Sequence, residues 1–259
     1  MDNKIIITPL GTVSPYIDNN MNCPGFLVEY HDKKILLDCG NGISRLLKFP
    51  EIMNNLSIII THYHRDHYSD IGVFQYSSRV FHKIGMLDDK IDIYLPKNDF
   101  QYGKEWILSN KESYANYHEY SDGYSFNIDD LTITLQDNRS HTIESFMVKL
   151  ENENNKIVYT SDMGTTNYFN NLCFIKDADL LICESSFLLS HEVFSTTHLL
   201  AYAAGILARD AKVKQLMLTH FWSLDDKTLY QEEAKQNFDN VVVAIEGESI
   251  VVDNKTKRR

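Results

Sequence analysis

The stretch Thr61-His62-Tyr63-His64-Arg65-Asp66-His67 follows directly on an apolar run made of Leu56 and Ile58, Ile59 and Ile60. A short β-branched run of this kind predicts a buried strand, so the polar cluster must emerge where a sheet ends. Alternate side chains of an extended chain point the same way, which lets His62 and His64 converge on one point. The turn that follows can aim Asp66 and His67 at a second point nearby. Imidazole and carboxylate at this spacing suit zinc or a similar borderline divalent ion.

Comparable apolar runs recur at 5–8, 26–30, 35–39, 58–61 and 91–95, and again at 131–135, 146–150, 157–161, 180–183, 216–219 and 241–245. Several alternate with a period of two, as Thr132 and Thr134 do against Ile133 and Leu135. Helical patterns fall between them. Ser69 or Asp70 can cap a helix running towards His82, with Ile71, Phe74 and Ser78 on one face. Thr196 and Thr197 precede the helical spacing of Leu199, Ala203, Ile206 and Leu207. Thr228-x-x-Gln231 has the form of a capping box ahead of Ala234 and Phe238. Strands and turns followed by strands alternating with helices, in both halves, predict an α/β chain. Two packed sheets carry helices outside, and residues 1–259 form one domain of two similar halves. The segment 112–127, with Tyr114, Tyr117, Tyr120, Tyr124 and Phe126, has no clear period and reads as a flap, a loop or a partner-facing surface.

No run approaches the roughly 18 apolar residues that a membrane span needs. The start Met1-Asp2-Asn3-Lys4-Ile5 lacks a basic flank and a cleavage site, so the expectation is a soluble, cytoplasmic protein that does not engage membranes. The four cysteines (Cys23, Cys39, Cys173, Cys183) form no CxxC pair, which argues against disulfides. A formal net charge of −11 disfavours binding to long polyanions but leaves room for a small anionic substrate held by bound cations. The basic tail of Lys255, Lys257, Arg258 and Arg259 reads as a solvated terminus.

Three more ligand candidates stand at or after strand ends: His141, Asp162 and His220. His31, His82, His118 and His191 read as surface histidines. Adding the three to the cluster groups His62, His64 and His141 around one ion and Asp66, His67 and His220 around another, with Asp162 as the bridging carboxylate. Two ions about 3.5–4 Å apart, zinc first and manganese second, activate water and neutralise the oxygens of an in-line displacement.

Asp38 in Leu36-Leu37-Asp38-Cys39-Gly40, then HxHxDH, His141, Asp162 and His220 resemble, in this order, the metallo-β-lactamase superfamily over nearly the whole chain. The resemblance implies an αββα four-layer sandwich with a dimetal site at one edge. It also implies that Asp38 orients a ligand imidazole. The text Cys183-Glu184-Ser185-Ser186-Phe187, then Thr197-His198 and Leu218-Thr219-His220-Phe221, is similar to the ribonuclease Z branch. There a Glu after the strand and a His opening the next helix donate a proton to the leaving group. The resemblance therefore implies Asp66, Glu184 and His198 as catalytic residues, and the 22-residue step from His198 to His220 fits it. Thr197-His198-Leu199-Leu200 departs from the branch's usual His-Ser-Thr.

Two departures argue against tRNA as substrate. Only 20 residues (142–161) separate His141 from Asp162, enough for one hairpin and not for a tRNA-gripping arm. The basic N-terminal loop is replaced by Gly11-Thr12-Val13-Ser14-Pro15-Tyr16, which removes grips on a phosphate backbone. What remains resembles the compact phosphodiesterases that include the phage anti-Pycsar nucleases. The shared text includes Leu36 to Gly42, Asp70 to Tyr76, Lys176 to Glu184 and Ala208 to Lys214. This resemblance implies hydrolysis of 3′,5′-cyclic mononucleotides, cCMP and cUMP included, to 5′-monophosphates, a small nucleotide rather than a nucleic acid as partner, and a counter-defence role. A ribonuclease Z-like RNA endonuclease, a lactonase or thioesterase, and an inert ligand-binding protein stay open as alternatives. A homodimer is expected through the helix carrying Ile71, Phe74, Tyr76 and Val80, with Tyr114, Tyr117 or Tyr120 as candidate contacts to the base across the dimer.

Overall fold

Two seven-stranded sheets form, one from each half of the chain, except that the C-terminal strand of the second half joins the sheet of the first. The computed structural model describes residues 3–18, 20–98, 100, 102–193 and 195–253, so the basic tail lies outside the described residues. The first half supplies β1 (Ile5–Gly11), β2 (Val13–Ser14), β3 (Gly25–Tyr30), β4 (Lys33–Leu37), β5 (Leu56–Ile59), β6 (Ile91–Pro96) and β7 (Ala115–Tyr120). The second supplies β8 (Ser125–Ile128), β9 (Leu131–Asp137), β10 (Phe146–Glu151), β11 (Lys156–Tyr159), β12 (Leu180–Glu184), β13 (Gln215–Thr219), β14 (Phe221–Trp222), β15 (Val241–Val243) and β16 (Ile250–Val252). Between them run α1 (Arg65–Tyr68), α2 (Ile71–Lys83), α3 (Gly103–Leu108), α4 (Tyr168–Ile175), α5 (Ala201–Asp210) and α6 (Lys227–Lys235).

One sheet has the order β16-β1-β3-β4-β5-β6-β7, the other β15-β13-β12-β11-β10-β9-β8, and β2 pairs with β14 apart from both. Each sheet joins an antiparallel run to a parallel one: β1, β3 and β4 lead into β5, β6 and β7, while β8 to β11 lead into β12, β13 and β15. The halves are thus built alike. Residues of both sheets share the central apolar layer, among them Ile5, Phe26, Ile35, Ile133, Phe146 and Ile157. A second layer lies under α4, α5 and α6, and a third under α1, α2 and α3. The order is helix, sheet, sheet, helix, the expected αββα sandwich. Strands between two layers are buried throughout, as in β5 and β12, whereas β9 alternates and buries Leu131, Ile133 and Leu135.

The segment 112–127 is not a flap. It forms β7 and β8, the edge strands of the two sheets, and its aromatic residues close the open edge between them. Tyr94 stacks on Phe126 at 4.1 Å and Tyr120 meets Phe146 edge-on at 4.9 Å. The turn at Asp122-Gly123, where Gly123 takes φ 80°, splits one apparent run into two strands and hides the period of two. Helix starts also differ. α5 begins at Ala201, after Leu200 rather than after Thr196 or Thr197. Asp226, not Thr228, caps α6, its carboxylate accepting from the Thr228 backbone N–H at 2.9 Å. Asp70 does precede α2, yet its carboxylate accepts from the N–H groups of Gly42 and Ser44 instead of capping the helix.

Candidate active site

Every strand end named from the sequence arrives at one rim of the sandwich. Beyond β5 the extended chain presents His62 and His64, and the single turn α1 holds Asp66 and His67. Asp162 follows β11, and His220 lies between β13 and β14. Asp38, Ser161 and His220 have positive φ (61°, 52° and 63°), so three strands turn sharply into the site. Non-glycine residues in that region carry strain that only a rigid surround maintains, and they gather at functional sites.

The seven predicted ligands meet. His62, His64, His141 and Asp162 form one group, and Asp66, His67 and His220 another, each with its ligating atoms within 4.8 Å of one another. His141 Nε2 stands 3.1 Å from His64 Nδ1, and His67 Nε2 3.4 Å from His220 Nε2. Asp162 lies between the groups. One of its oxygens is 3.2 Å from His67 Nε2 and 3.0 Å from His220 Nε2, the other 3.6 Å from His62 Nε2 and 3.8 Å from His141 Nε2.

These residues fit a pair of divalent ions. An ion at ~2.0–2.1 Å from tetrahedral nitrogen ligands separates those nitrogens by roughly 3.3 Å, close to the two imidazole spacings. His62 Nε2 is buried without a hydrogen bond, and Asp162 Oδ1, though beside two imidazole nitrogens, accepts none in good geometry, the mark of atoms arranged for something other than protein. Four of the imidazoles are also fixed through Nδ1, leaving Nε2 to face the centre. His67 pairs with Asp38 (2.8 Å), His141 donates to the Thr197 carbonyl (2.9 Å), His220 meets Ser186 Oγ (2.9 Å) and His62 lies 3.1 Å from Thr61 Oγ1. Such outer partners set tautomer and direction.

Burial lowers the pKa of His62, His64 (to about 4) and His141, so near neutral pH these rings offer lone pairs rather than charge. Burial opposes the imidazolium of His67 too, but the Asp162 and Asp38 carboxylates override it and hold the pKa well above 6.5. Burial alone would raise Asp162, and the imidazoles of His220, His67 and His62 instead hold it well below 3.8.

Asp38 is fully buried and is the hub of this support. It accepts from the Thr61 N–H (2.8 Å), Thr61 Oγ1 (2.9 Å), His67 Nδ1 (2.8 Å) and the Tyr159 hydroxyl (2.8 Å). Asp38→Ala strands these donors. It is expected to destabilise the protein by about 3–5 kcal/mol and to weaken metal binding by ~10–100-fold. Denaturant titration and competition with a chelating dye check the two effects separately.

Glu184 and His198 stand beside the second group. Glu184 is buried at the end of β12 and accepts five hydrogen bonds: from the N–H groups of Met163, Ser186 and Leu199, from Ser186 Oγ (2.8 Å) and from His198 Nδ1 (2.9 Å). A ring nitrogen of His198 lies within 4.8 Å of ligating atoms of Asp162 and His220. His198 does not open the following helix. It sits on the loop before α5, which packs so closely on Gly164 that a Cβ there would fall 1.8 Å from the Thr196 carbonyl oxygen. Burial opposes the imidazolium, yet the Glu184 carboxylate holds His198 up at about 9.

The sequence reading missed three hydroxyls. Ser186 Oγ touches Glu184, His198 and His220, Ser14 Oγ donates to Asp66 Oδ2 (2.8 Å), and Ser161 Oγ meets Thr61 Oγ1 (2.6 Å). Only Ser186 carried a signal, its place two residues after Glu184. The tyrosines expected to contact a base across a dimer are engaged within their own subunit. Tyr120 is buried and donates to the Ile60 carbonyl. Tyr117 bonds to Gln75 and Ser113, and Tyr114 stacks on His82 at 3.5 Å. Pairing of β7 with β6 carries Tyr117 and Tyr120 into the sheet edge, and Tyr114, just ahead of β7, packs on α2 through His82.

Residues 33–221 match the beta-lactamase superfamily domain. The chain is 27% identical over 238 residues to the probable metallo-hydrolase YhfI of Bacillus subtilis, covering 91% of this chain and 95% of that protein. The crystal structure of YhfI superposes with a TM-score of 0.86 at 24% identity, over 96% of this chain and all of the other. Ribonuclease Z of Clostridium kluyveri is 27% identical over 288 residues, covering 90% of this chain and 93% of the enzyme. A diphosphatase of the PhnP family shares the fold, with a TM-score of 0.76 at 14% identity over 96% and 98% of the two chains.

Proposed function

The chain belongs to the metallo-β-lactamase superfamily and is a metallo-hydrolase, and from that premise we propose that it is a phosphodiesterase opening 3′,5′-cyclic mononucleotides, cCMP and cUMP among them, to 5′-monophosphates. The observation that carries this reading is the Glu184–His198 pair beside the His/Asp ring. An ester of phosphorus leaves as an alkoxide, which needs a proton, and a carboxylate-held imidazole supplies one. His198 Nδ1 donates to Glu184 Oε1 at 2.9 Å, which reserves Nε2 for the leaving 3′-oxygen. Water contributes the new oxygen on phosphorus, the P–O3′ bond breaks, and O3′ takes the His198 proton. His62, His64, His141 and Asp162 would hold one zinc-type ion and Asp66, His67 and His220, with Asp162 shared, the other. Bound there, the ions supply Lewis-acid neutralisation of the phosphate and a nucleophile at neutral pH.

The hairpin of β10 and β11 occupies the interval between His141 and Asp162, so no arm extends there to hold tRNA. A resemblance to the anti-Pycsar nucleases supports a counter-defence role for the same chemistry. A panel of substrates tests the reading: bis-p-nitrophenyl phosphate, the four cyclic mononucleotides, precursor tRNA, an acyl lactone and a thioester. Turnover of the first two kinds to 5′-monophosphate products is expected. Cleavage of precursor tRNA with inert cyclic nucleotides would overturn it, as would hydrolysis of the acyl substrates alone.

A homodimer is the assembly we propose. Ile71 and Phe74, expected at the interface, are instead buried within the subunit. The outer face of α2 shows Val73 (43% exposed) and Tyr76 (63%), and Trp106 on α3 (43%) extends the patch beside Gly72. Contiguous apolar surface on a chain of charge −11 favours cover by a second copy. Sedimentation at micromolar concentration is expected to give twice the 30.0 kDa chain mass. A species at the single mass excludes this interface.

A further inference from the structure

We infer that the cleft on the His198 side of the ring is the seat of the substrate's base, with Trp222 as its stacking surface. This rests on the phosphodiesterase reading and deepens it. The cleft has a volume of about 200 Å³ and is lined by Ser14, Pro15, Ser186, Phe187, His198 and Trp222, with His220 at its inner end. It is continuous with the ring because His220 belongs to both. A group leaving from phosphorus towards His198 therefore carries whatever is attached to it into this space.

The walls, with Phe187, His198 and Trp222 among them, suit a flat aromatic ring. Phe187 lies edge-on to the His198 ring at 6.2 Å, and Tyr16 edge-on to Trp222 at 6.1 Å, so the indole is braced from its outer side. The backbone of Trp222 is fixed by two contacts: β14 pairs it with Ser14, and its N–H donates to the Tyr230 hydroxyl at 3.3 Å. Its side chain is nonetheless 38% exposed, a large aromatic face on an anchored strand. Pockets for drug-sized ligands run to ~300–1,000 Å³. The smaller space here takes one ring system beside the phosphate. Stacking on an aromatic face tolerates any base, which fits a chain whose predicted substrates include pyrimidine nucleotides.

Two measurements test this. For cCMP against a base-free methyl riboside 3′,5′-cyclic phosphate, the ratio of kcat/KM is expected to fall about 10-fold in Trp222→Ala and to be largely restored in Trp222→Phe. A ratio unchanged in Trp222→Ala overturns the assignment of the base site while leaving the phosphodiesterase reading intact. Inertness of the zinc-loaded wild type towards both substrates overturns the two together. The chain has two tryptophans, so Trp106→Phe leaves Trp222 as the sole indole reporter. Cytidine 5′-monophosphate is expected to quench its fluorescence in the zinc-loaded protein and ribose 5-phosphate to leave it unchanged. Equal quenching by both, or quenching by neither, removes Trp222 from the site.

Discussion

Asp162→Ala is expected to purify with at most one divalent ion per chain, where the parent protein is expected to hold two, and to lose nearly all hydrolytic activity. One carboxylate lies within 3.0–3.8 Å of four imidazole nitrogens drawn from both ligand groups, so its removal strips a ligand from each. The remaining rings, several facing one another at 3.1–3.4 Å, lose the negative charge that draws cations between them. Removing one oxyanion-hole donor costs ~10²–10³-fold in kcat. Loss of a shared metal ligand is expected to exceed that. Elemental analysis and a bis-p-nitrophenyl phosphate assay read the two effects, and a variant retaining two ions and full activity would remove Asp162 from the centre.

His198→Ala is expected to lower kcat by about 10²–10⁴-fold while the metal content stays at that of the parent. The contrast with Asp162→Ala separates a proton donor from a ligand. In the proposed role His198 acts in its protonated form, so kcat is expected to descend as pH rises through its pKa. Burial works against the charge and the Glu184 carboxylate prevails, placing that pKa at about 9 before any cation binds nearby. Two bound dications would bring the midpoint below this value. The same limb should vanish in His198→Ala, and an unchanged pH profile would exclude the role. The pairing also bears on stability. A histidine pKa raised from 6.5 to about 9 contributes stability that is full below 6.5 and is lost as pH climbs through about 9.

The His/Asp cluster was legible because HxHxDH is local: spacing along an extended chain and one turn fixes where four groups point. His141, Asp162 and His220 were legible because each stands at or just after an apolar run, and strand ends in a layered α/β chain share a rim. The errors arose where long-range pairing overrides local pattern. Tyr117 and Tyr120 looked like parts of a flap, yet β7 pairs with β6 along its length and carries them into the sheet edge. His198 looked like a helix start, yet the close approach of its loop to Gly164, together with five bonds into Glu184, holds it on a turn ahead of α5.

By itself the sequence determined the layered α/β architecture, most of the strands and the membership of the His/Asp cluster, since each depends on residue type and on a period of two or 3.6. Only the tertiary structure decided which imidazole nitrogen faces the centre, that Ser186 joins Glu184, His198 and His220, and that Trp222 shares a cleft with Ser14 and Phe187. Ser14 and Trp222 are more than two hundred positions apart, and it is the pairing of β2 with β14, together with the meeting of the two sheets, that brings them side by side.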